Sequence, residues 1–192
     1  MDDRLTRVLK VVAVVMAVLF VAWAAYDQFF ADVAPGDIAY FAGNRAFEDA
    51  EYARAEADYR QALAEAPDHI WALRGLARTL HLQGQSEEAL ALYDQAIERD
   101  PDFAGSYANR GILLDTMGRP EDALADYDRA LALDAEVAEG PHWLTRFLRK
   151  QDEPPPTILD RARYLRAELA KPEAERVLRV PEIDQQQRSY KQ

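Results

Sequence analysis

Three histidines, His69, His81 and His142, are the side chains with the readiest general-base or metal-binding chemistry, and their spacing supports neither. No two stand at i, i+4 with a supporting carboxylate, the arrangement by which one helix face presents paired imidazoles to zinc. There are no cysteines. That removes disulfides, thiolate metal sites, CxxC redox chemistry, c-type haem attachment and a lipid-bearing Cys. Phosphate-cradling glycine loops are missing too, with neither GxGxxG nor GxxxxGKS/T present. The acidic pairs Glu87-Glu88 and Glu121-Asp122 fall where helices should begin, and a helix N-terminus favours negative charge without further explanation. The expectation is a non-enzymatic chain that needs no cofactor and no metal.

What remains is recognition chemistry. Arg74 and Arg78 stand one helical turn apart, near Trp71 and downstream of Tyr40, Phe41 and Phe47. Planar guanidinium forks suit carboxylates, and Arg with exposed aromatics anchors protein interfaces. Charge argues in the same direction. The net charge is −11. Residues 36–137 hold 21 acids and 9 bases, −12; residues 138–192 hold 9 acids and 11 bases, +2; the first 35 residues supply the remaining −1. Nucleic acid requires a basic footprint to displace counterions, so an acidic body points to a protein partner.

The elements that would carry these residues begin with an apolar stretch. Val11 to Tyr26 is a run of sixteen uncharged, mostly apolar positions. As a helix it spans roughly 24 Å at about 1.5 Å per residue. Val8 and Leu9, with a snorkelling Lys10, extend it toward the roughly 30 Å hydrocarbon core. Trp23 and Tyr26 suit an interface belt, and Arg4, Arg7 and Lys10 precede the run while Asp27, Asp32 and Asp37 follow it. The positive-inside bias then puts residues 1–10 in the cytoplasm, a transmembrane helix or signal anchor at 11–30, and the remainder outside. Ala22-Trp23-Ala24 also reads as a signal-peptidase site, which would release a soluble protein into the same compartment.

Residues 36–137 divide without a gap into three blocks of 34: 36–69, 70–103 and 104–137. Small residues recur at block position 8 (Gly43, Ala77, Gly111) and alanine at 20 (Ala55, Ala89, Ala123). Tyrosine recurs at 24 (Tyr59, Tyr93, Tyr127) and alanine at 27 (Ala62, Ala96, Ala130). Small residues let paired helices approach, and the aromatic fills the space between them. Pro67 and Pro101, at position 32, stop the second helix. Gly84 and Gly118, at position 15, can end the first helix with positive φ; block one departs with Ala50.

On these residues, above all LARTLHLQGQSEEALALYDQAIERDP (76–101) and RGILLDTMGRPEDALADYDRALALD (110–134), the chain resembles the tetratricopeptide repeat family. The resemblance implies an all-α, right-handed α-solenoid of three repeats whose first helices line a concave groove. Carried over to this chain, the groove positions offer Tyr40, Phe41, Asn44 and Phe47 from block one. Block two adds Trp71, Arg74, Arg78 and His81, and block three Asn109 and Ile112. An extended or helical peptide with an acidic or carboxyl-terminal group near Arg74 and Arg78 is the implied guest. The competing reading pairs those arginines with Asp37, Glu48 or Asp115 across the groove. The family's carboxylate clamp for chaperone tails needs Lys, Asn, Asn, Lys and Arg where this chain has Tyr40, Asn44, Gly75, Gly105 and Asn109. Only Asn44 matches.

Beyond residue 137 the register fails. Residues 138–171 are expected to be divergent capping helices, one over 141–150 with Trp143, Leu144, Phe147 and Leu148 as its stripe. A second follows over 157–170, opened by a Thr157/Asp160 cap. A polar, basic tail, 172–192, follows. Arg161, Arg163, Arg166, Lys171, Arg176 and Arg179 make this region basic and are expected to dock on the acidic body, the alternative being that the tail is itself a recognition segment. The composition, rich in Ala and Arg, has a bacterial style. The expectation is a single-pass scaffold of a bacterial inner membrane, its repeats on the periplasmic side, binding a protein segment and aiding assembly of an envelope complex. A permanent subunit of a membrane complex and a cleaved periplasmic binding protein stay open as alternatives.

Overall fold

The computed structural model describes residues 3–30, 34–139 and 156–179. Among these the chain is helix and turn, without a strand. Helix α1, Asp3–Phe30, carries the apolar run and is long and apolar enough to cross a membrane; none of its apolar stretch is buried. Three helical hairpins follow. They are α2 (Asp37–Glu48) with α3 (Tyr52–Glu65), α4 (Ile70–Leu82) with α5 (Ser86–Arg99), and α6 (Ala104–Thr116) with α7 (Pro120–Leu133). A 3-10 turn at Ala135–Ala138 leads on, and α8, Ile158–Leu169, closes the array. The expected helix over 141–150 with Trp143, Leu144, Phe147 and Leu148, and the tail from 180 onward, lie outside the described residues.

The repeat spacing produces the packing directly. Tyr59, Tyr93 and Tyr127 are fully buried, as are the alanines at positions 20 and 27 of every block. A Cβ added to Gly43 would come within 2.8 Å of the Tyr59 ring, one on Gly75 within 2.6 Å of the same ring, and one on Gly111 within 2.7 Å of Tyr127. Tyr59 and Tyr127 are therefore wedges for which the backbone of the facing first helix has been stripped of side chain, while Tyr93 packs with Ala77. First helices of neighbouring repeats touch, α2 with α4 and α4 with α6, so they form the inner wall of an α-solenoid.

Each hairpin turn uses one backbone motif. Gly84 and Gly118 adopt φ of +79° and +76°, and the following amides reach back to Leu80 and Leu114 carbonyls at 2.9 Å. That is a Schellman closure, with the left-handed residue just past the helix end. Ala50 takes the same role at φ +59°, and Glu51 N donates to the Ala46 carbonyl at 2.9 Å. The fold imposes the left-handed turn even where the sequence supplies no glycine.

Thr157 opens α8 with a reciprocal capping box. Its Oγ1 accepts from Asp160 N at 3.2 Å while Asp160 Oδ2 accepts from Thr157 N at 3.0 Å. Those contacts hold the Asp160 carboxyl below its ordinary range. Buried Ile158, Ala162 and Leu165 face α7 and Val137, covering the apolar side that repeat three would otherwise leave bare.

Candidate peptide-binding groove

The concave wall is open over repeats one and two and closed at repeat three. Tyr40 is half-buried, its ring 4.9 Å from that of His69 and 6.2 Å from that of Tyr59. Asn44 Oδ1 accepts from the Tyr59 hydroxyl at 2.7 Å. Phe47 lies edge-on to Tyr52 and beneath the Arg78 guanidinium, 3.9 Å from ring centroid to Cζ. Trp71 remains 41% exposed, set edge-on against Phe103 at 5.5 Å. Beside it run half-buried His81 and exposed Leu82.

Arg78 is the cation of this floor. It sits against the two buried tyrosines and opposes the burial that pushes the Tyr59 hydroxyl up to about 12 and raises Tyr93 further. Its Nε is buried without a hydrogen-bond partner, and the Tyr93 hydroxyl is in the same position. Asp37 is engaged with His69 and Asp115 with Arg161, so neither is the ion partner of Arg78.

Arg74 corrects the expectation. It is 2% exposed, donating from Nε to Ser106 Oγ at 3.0 Å and from Nη2 to Asp100 Oδ2 at 2.7 Å. Its guanidinium is clamped between the rings of Trp71 and Phe103, at 4.9 Å and 3.9 Å. Position 5 of repeat two faces the start of repeat three, so Arg74 joins two repeats; its Nη1 is left without a hydrogen-bond partner but is buried away from a guest. The cross-groove partners expected for it are not its partners either. Asn109 and Ile112 are buried, at 4% and 8% exposure, and Ile112 belongs to the core shared by repeat three and the cap. Phe41 stands at the leading edge of the array, at the position where repeat two places Gly75 beneath Tyr59.

The closure at repeat three rests on a residue that spacing did not single out. Arg161 of α8 grips Asp115 at the end of α6 with two bonds, Nε to Oδ2 at 2.6 Å and Nη2 to Oδ1 at 2.9 Å. Both side chains are buried. Arg161 Nη2 also donates to the Leu178 carbonyl at 3.0 Å, and the Arg179 guanidinium reaches the Thr116 carbonyl. Val177 N donates to Glu168 Oε2 at 2.8 Å and Val177 O accepts from the Tyr164 hydroxyl at 2.5 Å. Residues 176–179 thus lie as a strap across the C-terminal mouth of the groove. The surplus of bases after residue 137 was the available signal; which base meets which acid was not.

His81 reports on this mouth. Its Nε2 lies 3.3 Å from Thr116 Oγ1, which itself donates to the Ile112 carbonyl at 2.6 Å, so the hydroxyl oxygen is left to accept from the ring. Burial lowers its pKa from the ordinary 6.5. The folded state therefore binds this proton less readily than the unfolded chain, and the associated stability is present above pH 6.5 and lost as pH falls below it. We expect the His81 ring to titrate below 6.5 in proton NMR, and a His81→Gln variant to lose less stability than wild type between pH 7 and 5.

Among the described residues no group of three His, Asp or Glu side chains is arranged to hold a metal.

Two family models, each described as tetratricopeptide repeat, match the chain over residues 46–109 and 103–142. Through this region the chain belongs to the tetratricopeptide repeat family. Solved structures with the same architecture include the first repeat domain of Spaghetti (RPAP3) bound to the HSP90 peptide SRMEEVD, at 21% identity and TM-score 0.52; the match covers 62% of this chain and 92% of that one. The Arabidopsis OM64 repeat domain matches at 18% identity and TM-score 0.52, covering 61% and 93%. The TPR2B domain of yeast Sti1, in complex with pHsp70, matches at 25% identity and TM-score 0.51, covering 60% and 91%. No curated protein matches the sequence.

Proposed function

We propose that the chain is a non-enzymatic, membrane-anchored adaptor that holds a segment of another protein in the groove of repeats one and two. The observation that carries the reading is the contrast along the concave wall. Trp71 and Leu82 are left exposed beside Arg78, Tyr40, Asn44 and Phe47, while the same wall in repeat three is roofed by its own cap. A half-exposed tryptophan two turns along the same helix face from an arginine stacked on Phe47 is the chemistry of an interface anchor. Arg78, half-buried on Phe47 and in no ion pair among the described residues, suits an acidic side chain or a terminal carboxylate. The solved Sti1 domain, itself in complex with another protein, supports a protein guest for this architecture. A chaperone-tail receptor is not the reading, because Tyr40, Gly75, Gly105 and Asn109 replace the clamp residues and Asn44 is spent on Tyr59. Helix α1 supports anchoring, and its flanking charges support a repeat domain on the periplasmic side of a bacterial inner membrane, where it would aid assembly of an envelope complex.

The test uses the full chain in lipid nanodiscs against a displayed library of peptides of varied charge. Selected binders are expected to weaken by roughly tenfold or more with Trp71→Ala. Arg78→Gln is expected to erase any preference for acidic over neutral peptides. Binders indifferent to both changes would remove the groove from the proposal.

A further inference from the structure

Positions 3, 6 and 10 of each 34-residue block face the preceding repeat. In repeat two they are Ala72, Gly75 and Thr79, and in repeat three Ser106, Asn109 and Leu113; all six are buried. Repeat one has no predecessor among the described residues, and the same positions hold Ile38, Phe41 and Arg45. Ile38 is 72% and Phe41 61% exposed. Arg45 is exposed and makes no ion pair among the described residues. Terminal repeats of a solenoid ordinarily turn a polar outer face to water. Two large apolar side chains one turn apart on that face mark a contact surface instead.

The occupant can be narrowed by shape and charge. Head-to-tail stacking of copies finds no open repeat at the other end, because α8 packs on α7 and covers the apolar side of repeat three. The face is, however, complementary to itself. Asp37 precedes Phe41 by four residues and Arg45 follows it by four. About a two-fold axis at Phe41, an antiparallel second α2 sets each Arg45 beside the partner's Asp37, with the phenylalanine rings meeting on the axis and Ile38 flanking them. Asp37 gives Oδ1 to His69 at 3.1 Å, yet its side chain stays 34% exposed and within reach of a guanidinium. A lipid surface fits less well, since residues 36–137 carry −12 and anionic headgroups would repel them.

We infer that the leading edge of the array, Asp37, Ile38, Phe41 and Arg45 of α2, is a homodimer interface that pairs two copies of this chain about a two-fold axis. It is independent of the groove, which lies on the concave wall.

The absence of cysteine makes the test direct. Phe41→Cys places a single thiol at the axis, and the full-length chain in its membrane, treated with copper–phenanthroline, is expected to form a disulfide-linked dimer. Gln95→Cys, exposed on α5, is expected to form none. Adding Arg45→Asp to Phe41→Cys should lower the yield about tenfold, since two ion pairs become two repulsions. Adding Asp37→Arg as well should restore it. Phe41→Glu alters only an exposed side chain, so the detergent-solubilised chain should stay folded by circular dichroism while light scattering shows its mass fall from dimer to monomer. A monomeric wild type overturns the inference. So does a dimer that survives Phe41→Glu, or a cross-link indifferent to the charge at 45, which would assign association to α1.

Discussion

Arg161→Ala is expected to destabilise the repeat domain by about 3–5 kcal/mol, because it leaves the Asp115 carboxylate buried without its guanidinium. The fork between them is formed at 2.6 and 2.9 Å with both side chains under a tenth exposed, so solvent does little to soften the loss. Such a change consumes a large part of the roughly 5–15 kcal/mol that holds an ordinary domain together. Urea unfolding of the full chain checks the magnitude. The mechanism has its own signature, since Arg161 also holds the Leu178 carbonyl at 3.0 Å. Cutting that contact should free the strap, so Arg176 and Arg179 should become rapid trypsin sites in the variant and slow ones in wild type. Replacing both partners with apolar residues, Arg161→Met with Asp115→Leu, should recover most of the lost stability without restoring trypsin resistance at the strap. A wild-type-like urea midpoint for Arg161→Ala would show that the pair is not buried in solution.

The second large effect belongs to the buried tyrosines. Tyr93→Ala should cost about 3–5 kcal/mol, the range for truncating a large aromatic in a core that cannot collapse around the void. Tyr93 is 1% exposed and packed among Ala77, Ala89 and Ala96, whose side chains are too short to fill the space. The phenylalanine variants separate packing from hydrogen bonding. The Tyr93 hydroxyl is buried without a partner, whereas that of Tyr59 donates to Asn44 at 2.7 Å. Tyr93→Phe should therefore be neutral or mildly stabilising, and Tyr59→Phe should cost about 1 kcal/mol. Equal penalties for the two would contradict the bonding described for them.

How far the sequence carried the reading follows from the distance between interacting residues. The small residues at position 8 and the tyrosine and alanines at 20, 24 and 27 were legible because each repeats every 34 residues and packs against the others in one hairpin or the next. The turns at Gly84 and Gly118 were legible for the same reason. Ala50 was not, because its positive φ is imposed by the hairpin and not by any preference of alanine. The groove was read less well. Whether an arginine at position 5 faces solvent depends on what the end of its own repeat and the start of the next set beside it, and for Arg74 that is Asp100 and Phe103, then Ser106. Arg161 and Asp115 are 46 residues apart, in a region where the repeat register has lapsed. No periodicity links them.

Among the described residues the array is fastened at one end only. The cap, the strap and the Arg161 fork all bear on repeat three, while α2 has a neighbour on a single side. In a chain of units that are stable largely through adjacent contacts, fraying starts where contacts are fewest. Amide exchange in an isolated copy should accordingly run fastest through α2 and α3 and slowest through α6 and α7. The portion of the molecule best placed to seize a guest is then also its softest, and capture would tighten the very hairpin that is loosest beforehand.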